Sequence, residues 1–234
     1  MNSYLKNFFN QNFSTKKFYY YFHLKGLDNL GSTCPFNSII QCLLHIEEFI
    51  NYFLNKFPQD IDLLKEKNKN VETEGNISQT LYRLIKELYN EKYDEKYYKK
   101  YKYSYEKFFK PYEILKIIGK YNEYLNYCSY HYARRDPKEY YFFLLESIHN
   151  ELNYLDNSNI ASKIENQYSR GTCFNNYVVE YYKNNFSIVS KLFSGIFEKI
   201  IRCKNCQKKI YIYQSFYLLE LIMKDYNKKD FNIY

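Results

Sequence analysis

The segment GLDNLGSTCPFNS, residues 26–38, places a cysteine at the start of an apolar helical pattern. Pro35 has no N–H and suits the first position of a helix, so we expect Cys34 to cap the N-terminus of the helix that follows. Exposed backbone N–H groups and the helix dipole stabilise a thiolate at such a position, and the thiolate is the reactive form. Gly31 permits a tight turn, and the side-chain amide of Asn29 could join the Cys34 N–H in binding an oxyanion. By itself, a cysteine at a helix start more often only caps the helix as a buried residue, and a nucleophile is the competing interpretation.

Two further patterns could bind a partner or a metal. In RRDPKEYYFFLLESI, Asp136 suits the N-cap position, Pro137 the first helical position and Glu139 the third, an arrangement typical of a capping box. Cys203 and Cys206 form a Cys-x-x-Cys pair between two β-like runs. Two thiolates at this spacing are half of a tetrahedral zinc site, which needs two more ligands.

Apolar periodicity predicts the elements that position these residues. The expected helices cover residues 35–54, 77–93, 111–121 and 137–152, with Pro58 closing the first region. Residues 65–76 and 156–185 are polar and are expected to be loops or insertions, and residues 92–110 are a Lys- and Tyr-rich stretch of low complexity. The runs KIIRC and KKIYIYQSFYLLEL predict strands on either side of the Cys-x-x-Cys pair.

Composition limits the class of protein. The chain has 234 residues, which suits one large domain or two small ones. The net charge of +8 would suit an acidic partner, but a lysine-rich surface explains it equally well. Six cysteines without a signal-peptide pattern indicate a reducing compartment, cytoplasmic and/or nuclear. No apolar run approaches the ~18 residues of a membrane span, so we expect no membrane partner.

The segment GLDNLGSTCPFNSIIQCL resembles the cysteine box of the ubiquitin-specific proteases. The matching positions are Gly26, Leu27, Asn29, Gly31, Thr33, Cys34, Asn37, Ser38, Gln41 and Leu43. The resemblance implies that Cys34 is the nucleophile and Asn29 the oxyanion-hole side chain of a cysteine-type deubiquitinase. Such an enzyme hydrolyses the peptide or isopeptide bond after the C-terminal glycine of ubiquitin, and it requires no cofactor for catalysis. Pro35 stands where the family has an aromatic residue.

Two later segments are similar to the same family, in the same order. RRDPKEYYFFLLESI is similar to the Gln-Asp-x-x-Glu-Phe helix, whose acids face the basic tail of ubiquitin; Asp136 and Glu139 are therefore implied ubiquitin contacts. Arg135 stands where glutamine is usual. SKLFSGIFEKIIRCKNC resembles the segment that enters the fingers region, which implies that Cys203 and Cys206 could hold a structural zinc with two ligands from elsewhere.

The resemblance implies an α+β, papain-like cysteine protease fold. We expect residues 1–23 to be a tail, residues 24–224 a partial catalytic domain with insertions near 92–110 and 156–185, and residues 225–234 a truncated end. This domain would contain the helical thumb and the first strands of the fingers, while the palm sheet would be missing.

The family's Gly-His-Tyr box, with the Asp or Asn that follows it, is not found in the sequence. His45 lies about 16 Å along the helix from Cys34, and the other histidines, His23, His131 and His149, lack the context of the box. We therefore expect little turnover from this chain. Two alternatives are a catalytically inactive ubiquitin-binding module and a basic RNA-associated helical protein that would stack bases on residues 92–112.

Overall fold

The computed structural model describes residues 26–89, 108–126, 135–153 and 170–220. The helical elements are α1 (Cys34–Leu44), α2 (Glu47–Asn51), a π-helical turn (Tyr52–Lys56), α3 (Phe57–Asn68), α4 (Asn76–Leu88), α5 (Tyr112–Tyr121), a 3₁₀ turn (Glu123–Leu125), α6 (Pro137–Leu152), α7 (Arg170–Asn184) and α8 (Ile188–Phe193). The strands form two small sheets, in which β1 (Gly26–Leu27) runs parallel to β2 (Phe108–Phe109) and β3 (Gly195–Arg202) antiparallel to β4 (Lys209–Phe216). The described residues are therefore α+β, with helices in the majority.

The core forms where α1, α4 and α6 pack together. Their fully buried side chains include Phe36, Ile40, Leu44, Ile77, Leu81, Ile85, Tyr140, Leu144 and Ile148. The rings of Phe36 and Tyr140 meet edge to face, with centroids 5.7 Å apart, and this contact joins the first turns of α1 and α6. Cys34 and Asp136, which begin these two helices, therefore lie at the same end of the helical pair.

The prediction of one helix over residues 35–54 is wrong, because the chain leaves helical geometry after α1. The N–H groups of His45 and Ile46 donate to the carbonyls of Cys42 and Leu43, each at 3.2 Å, so the helix ends in a tight turn. Ile46 is extended, with φ −88° and ψ 108°. Apolar periodicity does not reveal the break, because the segments on both sides bury side chains in the same core. Pro58 does not end a helix but lies in the first turn of α3, where its missing N–H costs nothing.

The loop expected over residues 156–185 is wrong for its second half, where residues 170–184 form α7. Its aromatic side chains pack on the β3–β4 hairpin: the Phe174 and Tyr213 rings are 5.5 Å apart, and the Tyr177 hydroxyl accepts the Ser215 N–H at 2.7 Å. Tertiary contact with the hairpin thus supports a helix in a polar sequence. The first half, and most of the 92–110 stretch, lie outside the described residues.

The β3–β4 hairpin confirms the predicted strands. Its pairing runs without a break from Gly195 opposite Phe216 to Arg202 opposite Lys209, and residues 203–208 form its tip. In the portions of the chain covered by the structure, no helix has the length and apolar character that crossing a membrane requires.

Candidate active site

The loop that leads into α1 is held by backbone and side-chain hydrogen bonds. The Asp28 N–H donates to the Phe109 carbonyl at 2.8 Å, next to the β1–β2 pairing. From the first turn of α1, the Asn37 side-chain amide donates to the Asp28 carbonyl at 3.0 Å. Gly31 has φ +89°, the left-handed conformation that glycine adopts readily, so the predicted tight turn is confirmed. The loop therefore enters α1 along a defined path.

Cys34 is the first residue of α1, and its side chain is exposed. The N-cap is Thr33, whose carbonyl accepts the first helical hydrogen bond from the Asn37 N–H at 2.9 Å. The predicted cap, Cys34, is therefore one residue too late, and Pro35 is the second helical residue rather than the first. The thiol still lies in the first turn of α1, where backbone N–H groups lack helical acceptors. The interpretation of Cys34 as a buried cysteine is wrong.

Asn29 folds back against the residue that precedes Cys34. Its Oδ1 accepts hydrogen bonds from the Thr33 N–H at 3.0 Å and from the Thr33 hydroxyl at 3.2 Å. The Asn29 side chain is exposed, and its NH₂ group has no hydrogen-bond partner among residues 26–89, 108–126, 135–153 and 170–220. Within these ranges, an amide donor without a partner therefore lies beside the N-terminus of the helix that begins with Cys34.

The start of α6 is acidic and exposed. Asp136 is the N-cap, as predicted, and its Oδ1 accepts the Lys138 N–H at 2.9 Å. This bond is made to the second helical residue rather than to Glu139, so the cap is not a capping box. Lys138 forms an ion pair with Glu220, and the pKa of Lys138 is raised by that hydrogen bond and, more weakly, by the charges of Asp136 and Glu139. Glu220 therefore contacts the ammonium group of Lys138, and the charges of Asp136 and Glu139 add to its effect.

The tip of the hairpin presents the Cys-x-x-Cys pair to solvent. The Cys203 N–H donates to the Lys208 carbonyl at 2.9 Å, and the Gln207 N–H donates to the Cys203 carbonyl at 3.1 Å. Backbone N–H groups of Cys206 and Asn205 donate to the Cys203 sulfur and lower the pKa of its thiol. No cluster of three or more His, Cys, Asp or Glu side chains suited to a metal occurs in the described ranges, which supply only this pair.

These features lie within one region of sequence similarity. The sequence profile of the family described as ubiquitin carboxyl-terminal hydrolase matches residues 25–231, from the loop before α1 to beyond the hairpin. The chain belongs to the ubiquitin carboxyl-terminal hydrolase family. The predicted membership is therefore confirmed, and the match includes every residue that the sequence analysis selected as a site candidate.

Several ubiquitin carboxyl-terminal hydrolases are similar to this chain over most of its length. Ubiquitin carboxyl-terminal hydrolase 12 of Saccharomyces cerevisiae is 27% identical over 192 residues, which cover 78% of this chain and 14% of that protein. Ubiquitin carboxyl-terminal hydrolase 4 of Candida glabrata is 28% identical over 210 residues, covering 84% of this chain and 22% of the relative. Ubiquitin carboxyl-terminal hydrolase 15 of Xenopus tropicalis is 25% identical over 218 residues, covering 90% and 20%. The chain spans less than a quarter of the length of these relatives.

Neither histidine in the described residues is placed to accept a proton from Cys34. His45 follows the last turn of α1, about 16 Å along the helix axis, and its Nδ1 lies 2.6 Å from the Gln41 carbonyl oxygen. His149 lies about 13 Å along α6 from the Tyr140 contact, with its Nδ1 2.7 Å from the Ser187 hydroxyl, and burial lowers its pKa. His23 and His131 lie outside the described residues.

Arg135, the residue before the N-cap of α6, is buried rather than exposed beside Asp136 and Glu139. Its Nε donates to the Tyr124 carbonyl at 2.7 Å, and its Nη2 donates to the Asn126 carbonyl. The Tyr140 hydroxyl donates to the carbonyl between them, that of Leu125, at 3.1 Å. Arg135 therefore anchors the segment after α5 to the start of α6.

Replacing Arg135 with methionine is expected to lower the free energy of unfolding by about 3 kcal/mol, because two carbonyls lose charged donors in a buried setting. Urea denaturation measures this change. The matched control is Arg83→Met: Arg83 is 62% exposed and 3.8 Å from Glu113, so its loss should cost about 0.5 kcal/mol or less. Equal costs for both variants would contradict the anchoring role.

Thr33, a matching position of the cysteine box to which no role was assigned, contacts the Asn29 side chain. Its contacts with Asn29 follow a local Asn-x-x-x-Thr spacing, which is a detectable signal because asparagine side chains often accept N–H groups a few residues later. The contacts that bury Arg135 have no comparable signal, since their acceptors lie nine and eleven residues earlier.

Proposed function

We propose that this chain carries the nucleophile of a cysteine-type deubiquitinase. The supporting observation is the exposed Cys34 thiol in the first turn of α1, with the Asn29 side chain hydrogen-bonded through its oxygen to the preceding residue. The substrate would be a peptide or isopeptide bond that follows the C-terminal glycine of ubiquitin, in line with the family to which the chain belongs.

In the proposed reaction, the Cys34 sulfur attacks the carbonyl carbon of that glycine, and the resulting oxyanion accepts hydrogen bonds from the Cys34 N–H and the Asn29 NH₂. Collapse of the tetrahedral intermediate breaks the C–N bond, and the amine leaves with a proton. Water then hydrolyses the thioester and frees the thiol. The base that moves these protons would be a histidine outside the described residues.

Covalent capture and turnover together test this proposal. Residues 1–234 should form a thioether with ubiquitin whose C-terminus carries a 2-bromoethylamide, because displacement of bromide needs an activated thiol but no general acid. Hydrolysis of a ubiquitin–fluorophore amide should be slow or undetectable, because no described histidine faces Cys34. Ubiquitin binding without capture would support the inactive binding module instead. Robust turnover would contradict the expected low activity and would assign the base to His23 or His131, the histidines outside the described residues.

We propose that Asp136 and Glu139 contact the basic C-terminal tail of ubiquitin. Both carboxylates are exposed at the end of α6 that lies beside the start of α1, so a tail bound by them could lead to Cys34. Arg135 does not oppose this contact at the surface, because its guanidinium is buried on backbone carbonyls.

The double variant Asp136→Asn, Glu139→Gln is expected to weaken ubiquitin binding about tenfold, the loss of two exposed ion pairs. Asparagine caps helices as well as aspartate does, so the fold should be unaffected. Calorimetry at two salt concentrations measures the affinity and how much of it is lost when salt screens the charges. Glu146→Gln, an exposed neutralisation further along α6, is the matched control. An unchanged affinity in the double variant would place the tail elsewhere.

We propose that the helical core corresponds to the thumb of the family's papain-like fold and that β3 and β4 are the first strands of its fingers. Cys203 and Cys206 would supply two of the four thiolates of a structural zinc. The donor chemistry fits, because the hairpin tip directs backbone N–H groups at the Cys203 sulfur. Among the described residues, Cys34, Cys42, Cys173, Cys203 and Cys206 form no disulfide bonds. We propose a cytoplasmic or nuclear location.

A further inference from the structure

We infer that Thr33 is a positioning residue that determines which end of the Asn29 amide faces the substrate. This inference rests on the proposed function, in which the Asn29 side chain binds the oxyanion. An oxyanion needs a hydrogen-bond donor, so the Asn29 NH₂ must point to the reacting carbonyl and the Asn29 oxygen must point away from it.

The Thr33 backbone fixes the orientation of the amide. The two ends of an asparagine amide have nearly the same shape, so only hydrogen-bond partners distinguish them. A backbone N–H can donate but cannot accept, and the Thr33 N–H lies 3.0 Å from the Asn29 side chain. The atom that faces it must therefore be Oδ1.

The Thr33 hydroxyl adds a second donor to the same oxygen. Its Oγ1 accepts the Leu30 N–H at 3.0 Å, and this bond directs the hydroxyl hydrogen elsewhere. The Asn29 Oδ1, 3.2 Å away, is the acceptor that this geometry offers. Thr33 is fully buried, with 0% of its surface exposed, so water does not reach the Thr33 groups that donate these bonds. A rotated amide would set its NH₂ against the Thr33 N–H, which can only donate.

The arrangement prepares the donor before any substrate arrives. The Asn29 oxygen is occupied twice, while its NH₂ remains available on an exposed side chain. Electrostatic stabilisation is most effective when donors need no reorientation during the reaction. Thr33 therefore acts through Asn29 and does not itself touch the reacting atoms.

Two ubiquitin probes separate this role from a general effect on the fold. A C-terminal aldehyde accepts the Cys34 sulfur at its carbonyl carbon, and the thiol proton moves to the oxygen to give a hemithioacetal, whose oxygen needs the Asn29 donor. A C-terminal 2-bromoethylamide loses bromide as the C–S bond forms, the thiol proton passes to solvent, and no oxyanion develops. Affinity for the aldehyde and the rate of alkylation are measured on the same variants of the full chain.

Thr33→Val, which removes only the hydroxyl bonds, is expected to weaken aldehyde binding about tenfold and to change alkylation by less than about twofold. Thr33→Ser, which keeps the hydroxyl, should restore aldehyde binding to within about twofold of the unmodified chain. Thr80→Val is the matched control, because Thr80 is similarly buried but its hydroxyl donates only to the Asn76 carbonyl of its own helix. It should leave both readouts unchanged.

Equal losses with both probes would overturn the positioning role while the proposed function stands. No loss of aldehyde binding in Thr33→Val, which keeps the backbone N–H, would overturn the role of the hydroxyl. Failure of the unmodified chain to react with either probe would overturn the proposed function and this inference with it. NMR on the unmodified chain gives a test that needs no variant to fold. A scalar coupling across the hydrogen bond, from the Thr33 amide nitrogen to the Asn29 side-chain carbonyl carbon, is expected, and its absence would contradict the inference.

Discussion

Replacing Cys34 with serine is expected to abolish covalent capture of ubiquitin that carries a C-terminal electrophile. A serine hydroxyl is a far weaker nucleophile without an adjacent base, whereas a cysteine sulfur is intrinsically a strong nucleophile. Intact-protein mass spectrometry measures capture as the added mass of one ubiquitin. We expect adduct formation in Cys34→Ser to fall below detection.

Cys42 provides a matched control on the same helix. It is also an exposed free thiol, but it lies eight residues along α1, about 12 Å from Cys34 along the axis and away from the N-terminal amides. Cys42→Ser should therefore be captured at the rate of the unmodified chain. If capture survived in Cys34→Ser and disappeared in Cys42→Ser, the nucleophile would be Cys42 and not Cys34.

Replacing Glu151 with alanine is expected to lower the free energy of unfolding by about 4 kcal/mol, because it leaves several buried donors unpaired and a cavity behind. Glu151, near the end of α6, is fully buried and accepts the Thr73 hydroxyl at 2.5 Å, the Ile77 N–H at 3.0 Å and the Ser78 N–H at 2.6 Å. Gly75, the N-cap of α4, has no side chain to serve these N–H groups. The carboxylate of one helix thus caps the start of another.

Thermal or urea denaturation measures the cost of Glu151→Ala. Glu146→Ala is the matched control, because Glu146 lies on the same helix but is exposed, and its loss should change stability by no more than about 0.5 kcal/mol. A small effect of Glu151→Ala, comparable with the control, would show that the α4 terminus finds other acceptors.

The stability that Glu151 contributes is expected to depend on pH, and the isosteric variant Glu151→Gln, which cannot ionise at this position, is the reference for measuring it. Burial, the largest influence, raises the pKa of Glu151 despite its hydrogen bonds. Because the pKa of Glu151 is higher in the folded protein than in the unfolded chain, protonation of Glu151 stabilises the fold. This stabilisation is fully present below the pKa of glutamate in the unfolded chain, about 4.3, and is lost as the pH rises through the pKa of Glu151 in the folded protein. Lys67 is the charged group near the carboxylate, and burial lowers its pKa to about 8, so it stays protonated throughout this range. The stability difference between the unmodified chain and Glu151→Gln should shrink as the pH rises from about 4 to 7.

Local chemistry explains which features could be predicted from sequence. Asp136 and Pro137 define the start of α6, because an N-cap acceptor and a missing N–H act on residues within one turn. The β-like runs predict β3 and β4, and a short tip between them sets their register. The placement of Cys34 in the first turn of α1 follows from Pro35 in the same way, apart from one residue in the position of the cap.

The failures involve contacts between distant parts of the chain. The apolar pattern continues across His45 and Ile46, because both helices face the same core, so the break is invisible in the period. The polar residues of α7 give little sign of a helix, since the hairpin supplies the surface on which its aromatic side chains pack. The sequence also gives no indication that Arg135 would be buried, because its acceptors are carbonyls, which every residue carries.

The sequence by itself determined the family, the order of its motifs and the cysteine at the mouth of a helix, because each depends on residues that are neighbours along the chain. Only the tertiary structure decided that α1 and α6 start side by side, that Glu151 caps α4 and that Asn29 presents its NH₂ group rather than its oxygen. The physical reason is that the free energy of burying a polar group depends on whether a distant segment supplies its hydrogen-bond partner. A local sequence pattern does not identify that partner.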